Sequence, residues 1–369
     1  MTMLARLRIA LVISSLGSGG AERVLSQMAN YWGRAGHDVS IITLSIQKPF
    51  YALESVIHFS PLGLANPSGN LMEGFFRNFE RIWKLRAALK LLQPDVVISF
   101  LNTTNVLALL AARGMGIPVI ISDRSNPWKY KVGKAWEKLF DLTYPWADAI
   151  VLQTKGFESA YHPRVRQKIR VIPNGISPLE KSGSAPEVLA RPAIIGVGRL
   201  GAEKGMDILI TAFALLKDSL PDWHLVLVGD GPDRLALQAL SERLGVAERV
   251  LFTGLVENPI GYLEQSDIFV LASRFEGFPN ALCEAMICGL PVIASESSPA
   301  IREIIRENED GIIVPLESPE KLADALQELA GDTAKRRRLG EKAREITHRF
   351  GFESVMQMWE EVIQSVLRG

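Results

Sequence analysis

Two glutamates, Glu276 and Glu284, are spaced so that both could bind hydroxyl groups of one ligand. Glu276 comes just before a Gly-Phe-Pro turn, and Glu284 lies about two helical turns further along, among apolar neighbours. A carboxylate in apolar surroundings is costly unless it binds polar groups. Paired acids also hydrolyse glycosides by flanking the scissile bond, but the loop-to-helix junction between these two favours holding one ligand at two places.

Two cations, Arg199 and Lys204, lie in a glycine-rich turn between a predicted strand, 193–197, and a predicted helix, 205–217. Main-chain amides at a helix N-terminus attract anions, and fixed cations strengthen that attraction. Together they could neutralise a departing diphosphate without a metal ion. The alternative interpretation is a pair of surface charges on a loop.

A second glycine-rich turn, residues 17–20, links the first predicted strand, 9–14, to a predicted helix, 21–34. The amides of Gly19 and Gly20 could bind an anion, because glycine lets the backbone approach closely and the helix dipole adds partial positive charge. The spacing is not that of a dinucleotide-binding fingerprint, and no acidic residue clearly supplies a ribose partner. A plain tight turn is the alternative.

These motifs lie in a chain whose short apolar runs alternate with amphipathic helical stretches, the pattern of parallel sheets covered by helices on both faces. The predicted strands are 9–14, 39–43, 96–100, 119–122, 149–152 and 169–172, then 193–197, 224–228, 250–252, 268–272, 292–294 and 312–314. The pattern thus occurs twice. We predict an α/β fold of two doubly wound, Rossmann-like domains that face each other across a cleft, with ligands beyond the carboxyl ends of the strands.

The predicted domain boundaries follow from composition. Gly, Pro and Ser are dense towards the middle of the chain, which indicates a linker at 177–192. The N-terminal domain then covers 1–176, the C-terminal domain 193–350, and a last amphipathic helix lies in 351–369. The apolar run that follows Arg8 superficially resembles a signal peptide, but it leads directly into the glycine turn, so we predict a strand there.

Composition excludes several classes of protein. Lys+Arg and Asp+Glu each number 41, and a formal net charge of +0 argues against a general nucleic-acid binder. The hydrophobic fraction of 47% excludes disorder, and no apolar stretch approaches the ~20 residues of a membrane-spanning helix. With two cysteines, histidines that lack metal-ligand spacing and no Asp-x-Asp motif, we expect neither disulfides nor a metal site, in a reducing, cytoplasmic compartment.

The motifs resemble, over nearly the whole chain, the retaining nucleotide-sugar glycosyltransferases of family 4, which have the GT-B fold. The resemblance is carried by the two glutamates with their Gly-Phe-Pro turn and by the segments 19–23 (GGAER), 171–175 (VIPNG), 198–205 (GRLGAEKG), 229–232 (GDGP), 252–254 (FTG) and 311–315 (GIIVP). It implies a donor site for a nucleotide diphosphate sugar and a final helix that crosses back onto the first domain.

The resemblance also implies roles for individual residues. Arg199 and Lys204 would bind the diphosphate, Glu284 the ribose hydroxyls and Glu276 the hydroxyls of the donor sugar. Further donor contacts would come from Gly19, Gly20, Gly229, Gly254, Gly277, Phe278, Pro279, Asn280 and Ala281. Of these, Gly19 and Gly20 would face the diphosphate across the cleft.

Retention of configuration, again by resemblance, bears on the mechanism. With no well-placed carboxylate nucleophile, retention favours same-face substitution, in which the departing diphosphate oxygen accepts the proton of the acceptor hydroxyl. Glu276 would hold the oxocarbenium-like sugar. Arg199, Lys204 and Glu276 are therefore the predicted catalytic residues, and we expect no cofactor and no metal requirement.

One loop departs from the family. Many relatives have a histidine near the sugar, after the fourth strand of the N-terminal domain, where this chain has residues 122–127 (SDRSNP). Asp123, Arg124 or Asn126 could contact the donor or the acceptor in its place. The resemblance does not distinguish among the three.

A basic and aromatic region indicates a possible acceptor surface. Aromatic residues at helical spacing alternate with basic ones after residue 75, and a second such cluster begins at Trp128. Helices of this kind lie on anionic lipid or bind a lipid diphosphate; an ordinary helix with a buried aromatic stripe is the alternative. The candidate membrane or lipid contacts are Arg77, Arg81, Trp83, Lys84 and Lys129.

Residues 50–51 (FY), 95–101 (DVVISFL) and 122–127 also resemble the subgroup that extends polyprenyl-diphosphate-linked oligosaccharides in bacteria, with N-acetylgalactosamine a frequent donor sugar. We therefore expect transfer of a hexose or N-acetylhexosamine from a UDP sugar to a lipid-linked glycan, by a protein peripheral to the inner face of the cytoplasmic membrane, with no nucleic-acid partner. The alternatives are a non-hydrolysing nucleotide-sugar epimerase of the same fold, a nicotinamide oxidoreductase, which would leave Glu276 and Glu284 idle, and a non-catalytic sugar-binding protein.

Overall fold

The computed structural model describes residues 6–64, 71–129, 132–176, 189–256 and 258–368, with the backbone alone for 71–75. The chain divides into two compact units, one made of residues 1–175 with 353–369 and the other of residues 176–352. Most of the predicted linker, residues 177–188, lies outside the described residues. Each unit is an α/β structure with a parallel sheet, so the predicted fold class is confirmed.

The first unit contains, over its described residues, a seven-stranded sheet in the order β3-β2-β1-β4-β5-β6-β7. The strands are β1 Arg8–Ile13, β2 Asp38–Thr43, β3 His58–Pro61, β4 Val96–Phe100, β5 Val119–Ser122, β6 Ala149–Leu152 and β7 Ile169–Val171. Its helices are α1 Gly20–Arg34, α2 Leu71–Leu92, α3 Asn102–Ala112, α4 Lys134–Thr143 and α5 Pro163–Arg166. The strand order reverses between β1 and β4, so the segments that follow these strands lie at the switch point of the sheet.

Burial explains why these segments form central strands. Every residue of β4, β5 and β6 is buried, as expected of parallel strands covered by helices on both faces. The strand that the sequence analysis missed is β3, whose residues are exposed or half-buried and which ends in Pro61. An edge strand tolerates proline and needs no apolar run, so β3 lacked the signal used to find the others.

The second unit contains a six-stranded parallel sheet over its described residues, in the order β10-β9-β8-β11-β12-β13. The strands are β8 Ala193–Val197, β9 His224–Val228, β10 Val250–Gly254, β11 Ile268–Leu271, β12 Val292–Ser295 and β13 Ile312–Val314. The helices are α6 Met206–Leu215, α7 Arg234–Arg243, α8 Ile260–Glu264, α9 Asn280–Ile287, α10 Pro299–Ile304, α11 Pro319–Gly331, α12 Thr333–Ala343 and α13 Ile346–Phe350. Here the order reverses between β8 and β11. The segments that follow these two strands carry the predicted donor residues Arg199, Lys204 and Glu276.

The last helix, α14 Phe352–Arg368, belongs to the first unit from Glu353 onward. Its buried face includes Met356 and Trp359, and the Trp359 ring stacks on Phe100 at the end of β4, with 6.0 Å between centroids. This apolar stripe fixes the end of the chain beside the switch point of the first sheet. Among the described residues, no helix is both long and apolar enough to cross a bilayer.

Candidate active site

Lys204 and Glu276 meet at the carboxyl edge of the second sheet. The Lys204 ammonium donates to Glu276 Oε1 at 2.7 Å, and the Ser273 hydroxyl donates to the same oxygen at 2.7 Å. Within the described part of the chain, Glu276 Oε2 accepts no hydrogen bond. The carboxylate is therefore fixed through one oxygen and can accept from a ligand hydroxyl through the other.

A glycine in the left-handed region brings Lys204 to this position. Gly205 has φ +61°, and a Cβ built there would lie 2.1 Å from the carbonyl oxygen of Ala272, just after β11. A side chain at Gly205 would therefore push the Lys204 turn away from β11 and from Glu276. Gly205 is therefore required for structure, because it lets the turn that carries Lys204 approach β11.

Arg199 is arranged differently from Lys204. Its side chain is 66% exposed, and its Nε and Nη2 atoms both donate to Glu203 Oε1, at 3.0 and 2.6 Å. Glu203 is 19% exposed. Because the arginine is largely solvated, its ion pair contributes little to stability, so exchanging Glu203 for a phosphate should cost little. Sequence analysis identified Arg199 but missed Glu203 and Ser273, which carry no motif of their own.

Gly229 joins the ends of three strands. It has φ +137°, a Cβ there would lie 2.0 Å from the carbonyl oxygen of Gly198, and its amide donates to the Gly254 carbonyl at 3.0 Å. The backbone approach explains why Gly229 must be glycine. The predicted donor residues Gly229 and Gly254 therefore lie together beside the turn that carries Arg199.

Helix α9 begins at Asn280 and carries Glu284 in its second turn, where Glu284 is 8% exposed. Phe278 is also 8% exposed, and its ring packs edge to face on Phe350 at 6.0 Å. Because the Phe278 side chain belongs to the core, its main chain is the part that can contact a ligand. The predicted donor residues Gly277, Pro279 and Ala281 lie at or next to the N-terminus of α9. A helix N-terminus favours anions.

Gly19 and Gly20 lie at the N-terminus of α1, directly after β1, as predicted. An unexpected neighbour is Glu22, whose carboxylate folds back so that a Cβ on Gly19 would lie 2.2 Å from Glu22 Oε2. Burial raises the pKa of Glu22. The helix N-terminus of the first unit therefore already has a carboxylate beside it.

Asp123 is buried and fully engaged within the first unit. Its oxygens accept from Asn105 Nδ2 at 2.7 Å, from the Tyr144 hydroxyl at 2.9 and 3.1 Å and from the Tyr161 hydroxyl at 2.5 Å. Burial raises the pKa of Asp123, and the hydrogen bonds from Tyr161, Tyr144 and Asn105 oppose that shift. This network occupies both oxygens of Asp123 within the first unit, and contact of Asp123 with the donor or the acceptor stays a prediction.

Arg124, the next residue, points into a different environment. Its guanidinium carbon lies 4.1 Å from the centroid of the Phe100 ring and 5.7 Å from that of Trp359. Its Nη1 donates to Asn174 Oδ1 at 2.5 Å. Asn126 serves the turn itself, because its Oδ1 accepts from the Trp128 amide at 3.0 Å.

Backbone strain accompanies this loop. Leu101, between β4 and α3, has φ +76°, a conformation that costs a non-glycine residue about 1–3 kcal/mol. Two main-chain bonds hold it there: its amide donates to Ser122 O at 3.1 Å, and its carbonyl accepts from the Asn105 amide at 2.8 Å. The strained residue thus ties the end of β4 to the loop that carries Asp123 and Arg124.

Helix α2 presents aromatic side chains outward. Phe76, Phe79 and Trp83 are 63, 64 and 63% exposed, which contradicts the buried-stripe alternative. Arg81 is half-buried and donates to Leu64 O at 2.9 Å and to Asn78 Oδ1 at 2.8 Å. Its contact with lipid stays a prediction.

The other basic candidates differ in their surroundings. Lys84 pairs with Glu80 at 2.8 Å and Lys129 is exposed. Arg77, on α2, is half-buried. Within the described ranges, no group of three His, Cys, Asp or Glu side chains could hold a metal ion.

Two α/β units, each with a parallel sheet, are the architecture of the GT-B fold. Solved structures agree: sucrose-phosphate synthase from Thermosynechococcus elongatus aligns with a TM-score of 0.84 at 21% identity, covering 98% of this chain and 100% of that one. Anabaena HepE in complex with UDP and glucose aligns with a TM-score of 0.79 at 19% identity, covering 98% and 100%. At such identities the likeness shows the fold.

Sequence comparisons define the family. The model described as Glycosyltransferase Family 4 matches residues 18–178, and the one described as Glycosyl transferases group 1 matches residues 180–346. A Campylobacter jejuni N-acetylgalactosamine-N,N'-diacetylbacillosaminyl-diphospho-undecaprenol 4-alpha-N-acetylgalactosaminyltransferase is 30% identical over 91% of this chain and 94% of its own length. A second C. jejuni enzyme, an alpha-1,4-N-acetyl-D-galactosaminyltransferase named for a GalNAc-containing diNAcBac-PP-undecaprenol, is 29% identical over 98% and 99%. The chain belongs to the family 4 glycosyltransferases, and the epimerase alternative receives no support.

Proposed function

We propose that this glycosyltransferase moves an N-acetylhexosamine or hexose from a UDP sugar to a polyprenyl-diphosphate-linked oligosaccharide, with retention and without a metal ion. The observation that carries the proposal is the Lys204–Glu276 pair, fixed by Ser273 at the switch point of the second sheet. A cation and a carboxylate at one place suit a ligand that combines phosphate and sugar hydroxyls.

The pair would act by exchanging partners. Lys204 would turn from Glu276 to the diphosphate, where Arg199, released from Glu203, would join it. Glu276 would then accept hydroxyl groups of the donor sugar. Two cations and the helix N-termini would supply the charge neutralisation that the leaving group needs, and Glu284 would bind the ribose.

Same-face substitution accounts for every atom. The bond between the anomeric carbon and the diphosphate oxygen breaks, and a bond from that carbon to the acceptor oxygen forms. The acceptor hydroxyl proton passes to the departing diphosphate oxygen. No covalent sugar adduct forms, so detection of one on Glu276 would contradict this scheme.

The proposed acceptor rests on the relatives, two of which are named for undecaprenol-linked diphosphate substrates. Exposed Phe76, Phe79 and Trp83 on α2 support contact with a lipid surface, because aromatic side chains at helical spacing insert into the interfacial region. The protein would work at the cytoplasmic face of the membrane. Replacing Trp83 by Ser should reduce flotation with anionic vesicles several-fold, whereas Leu235→Ser, at an 80% exposed site of the second unit, should not.

The direct test is transfer from a panel of nucleotide sugars to undecaprenyl-diphosphate-linked glycans, with the anomeric configuration of the product read by NMR. We expect an α-linked product, activity in EDTA and loss of activity in Lys204→Met but not in Lys217→Met, an exposed lysine of the same unit. Activity that requires manganese, or an inverted product, would refute the mechanism. Transfer to soluble glycans alone would refute the acceptor.

A further inference from the structure

Arg124 carries a buried guanidinium that no described carboxylate neutralises. The residue is 9% exposed. The neighbouring Asp123 carboxylate is occupied by Asn105 and two tyrosines, and no ion pair to Arg124 exists within the described residues. A buried charge without a partner is strongly unfavourable. An anion that is not part of the chain could compensate the charge of Arg124.

The hydrogen bonds of the guanidinium leave one edge unused. Nη1 donates to Asn174 Oδ1 at 2.5 Å, whereas Nε and Nη2 are buried without any partner. These two atoms share the edge through which arginine donates two parallel hydrogen bonds to the oxygens of a phosphate or carboxylate. The unsatisfied atoms are therefore the pair that bidentate recognition of an oxyanion requires.

The surroundings hold this edge in place. The guanidinium lies against the Phe100 ring, and Asn174 Oδ1, which accepts from Nη1, also accepts from Gln153 Nε2 at 2.9 Å. Gln153 Oε1 is likewise buried without a partner and could accept from a hydroxyl of the same ligand. Burial lowers the pKa of Arg124 to about 9, so the group remains a cation at neutral pH.

We propose that Arg124 is the oxyanion-binding residue of the first unit and takes a phosphate group through Nε and Nη2. The choice of phosphate over carboxylate rests on the proposed function, since both proposed substrates carry diphosphates. The phosphate belongs either to the nucleotide sugar or to the lipid-linked acceptor.

Isothermal titration with three probes tests the proposal: inorganic pyrophosphate, UDP and farnesyl diphosphate. In Arg124→Met, we expect the Kd of at least one probe to rise by about 10–100-fold, the loss of a bidentate charged contact. Weakened UDP binding would assign the site to the donor. Weakened farnesyl diphosphate binding that persists in saturating UDP would assign it to the acceptor. Arg113→Met is the matched control, because Arg113 also lies over a ring, that of Trp146 at 4.5 Å.

Thermal unfolding separates binding from a structural role. Met keeps the contact with Phe100 and removes the uncompensated charge, so the ligand-free variant should unfold no earlier than the wild type. Arg124→Lys keeps the positive charge but lacks the planar guanidinium that donates two parallel hydrogen bonds, so it should also weaken binding of the same probe. Unchanged affinity for all three probes in both variants, or a lower Tm with unchanged affinity, would overturn the proposal. If the Arg124 variants bind a probe more weakly but the wild-type protein transfers no sugar, the phosphate site stands and the proposed function is refuted.

Discussion

The carboxyl edges of the two sheets carry charged residues in opposite arrangements. In the second unit, Lys204 and Glu276 are distant in the chain yet meet at 2.7 Å. In the first unit, Asp123 and Arg124 are adjacent in the chain yet turn apart, the one to tyrosine hydroxyls and the other to an aromatic ring. For these four residues, proximity in sequence does not decide which charges pair.

The two arrangements suit different tasks. In the second unit, the ion pair must exchange partners when a ligand binds. Substituting either member of the pair leaves the other as an uncompensated charge. A buried cation without a counterion has no partner to release and is preorganised for an anion. This contrast matches the two proposals, in which the second unit acts on a bound diphosphate sugar and the first holds a phosphate.

The largest effect should come from Glu276→Gln. The substitution removes the partner of Lys204 and the acceptor of sugar hydroxyls while keeping the shape, so we expect kcat to fall by about 10²–10³-fold. Initial rates of nucleotide release measure this. Glu242→Gln, an exposed carboxylate on α7, is the control and should retain the full rate. A rate of Glu276→Gln within twofold of the wild-type rate would show that the Lys204–Glu276 pair has no chemical role.

Tyr161→Phe tests the first unit by stability instead of rate. It removes the hydroxyl that donates to Asp123 at 2.5 Å, which should cost about 1–3 kcal/mol in the free energy of unfolding. Calorimetric unfolding measures the loss, and Tyr262→Phe, in the second unit, should stay within about 0.5 kcal/mol.

The same variant has a pH signature. Burial raises the pKa of Asp123 above its ordinary value of 3.8. Stability carried by the neutral acid is complete below that value and is lost as pH rises through the folded-state pKa. Because the Tyr161 bond lowers this pKa, its removal should destabilise the protein more near neutral pH than near pH 4. Equal losses at both pH values would show that Asp123 does not change ionisation over this range.

Runs of apolar residues were sufficient to predict two α/β domains with parallel sheets. Central strands are buried on both faces, so twelve of the described strands could be located from apolar runs, whereas exposed β3 could not. The motifs also located Lys204 and Glu276. That they meet was not predictable, because it depends on Gly205 packing against the carbonyl oxygen of Ala272.

The fate of the 122–127 loop could not be predicted either. Its residue types offered three polar candidates, and nothing local distinguishes Asp123 from Arg124. The distinction comes from distant residues: Tyr144 and Tyr161 occupy the carboxylate, whereas Asn174 and the ring of Trp359 flank the guanidinium. Tyrosines and amides carry no motif, so single-sequence reasoning misses such partners.

A smaller effect should follow from Arg199→Ala. The Arg199 side chain is 66% exposed and its partner Glu203 19%, whereas the Lys204 side chain is 24% exposed and its partner Glu276 9%. We therefore expect kcat/KM to fall by about 10-fold in Arg199→Ala, less than in Lys204→Met. Arg243→Ala, an exposed arginine at the end of α7, should leave kcat/KM unchanged. Equal losses of kcat/KM in Arg199→Ala and Lys204→Met would show that burial of a cation does not determine how much it contributes to catalysis.

The smallest expected change is a gain. Glu22 holds a carboxylate beside the α1 N-terminus, where an arriving phosphate would meet a like charge; burial already raises the pKa of Glu22. Removing one charge at a helix terminus is worth about 0.3–1 kcal/mol, so Glu22→Gln should tighten UDP binding by about 2–5-fold in titration calorimetry. Glu137→Gln, in the first turn of α4, should not. Weaker UDP binding in Glu22→Gln would mean that Glu22 supports the Gly19 turn rather than competing with the ligand.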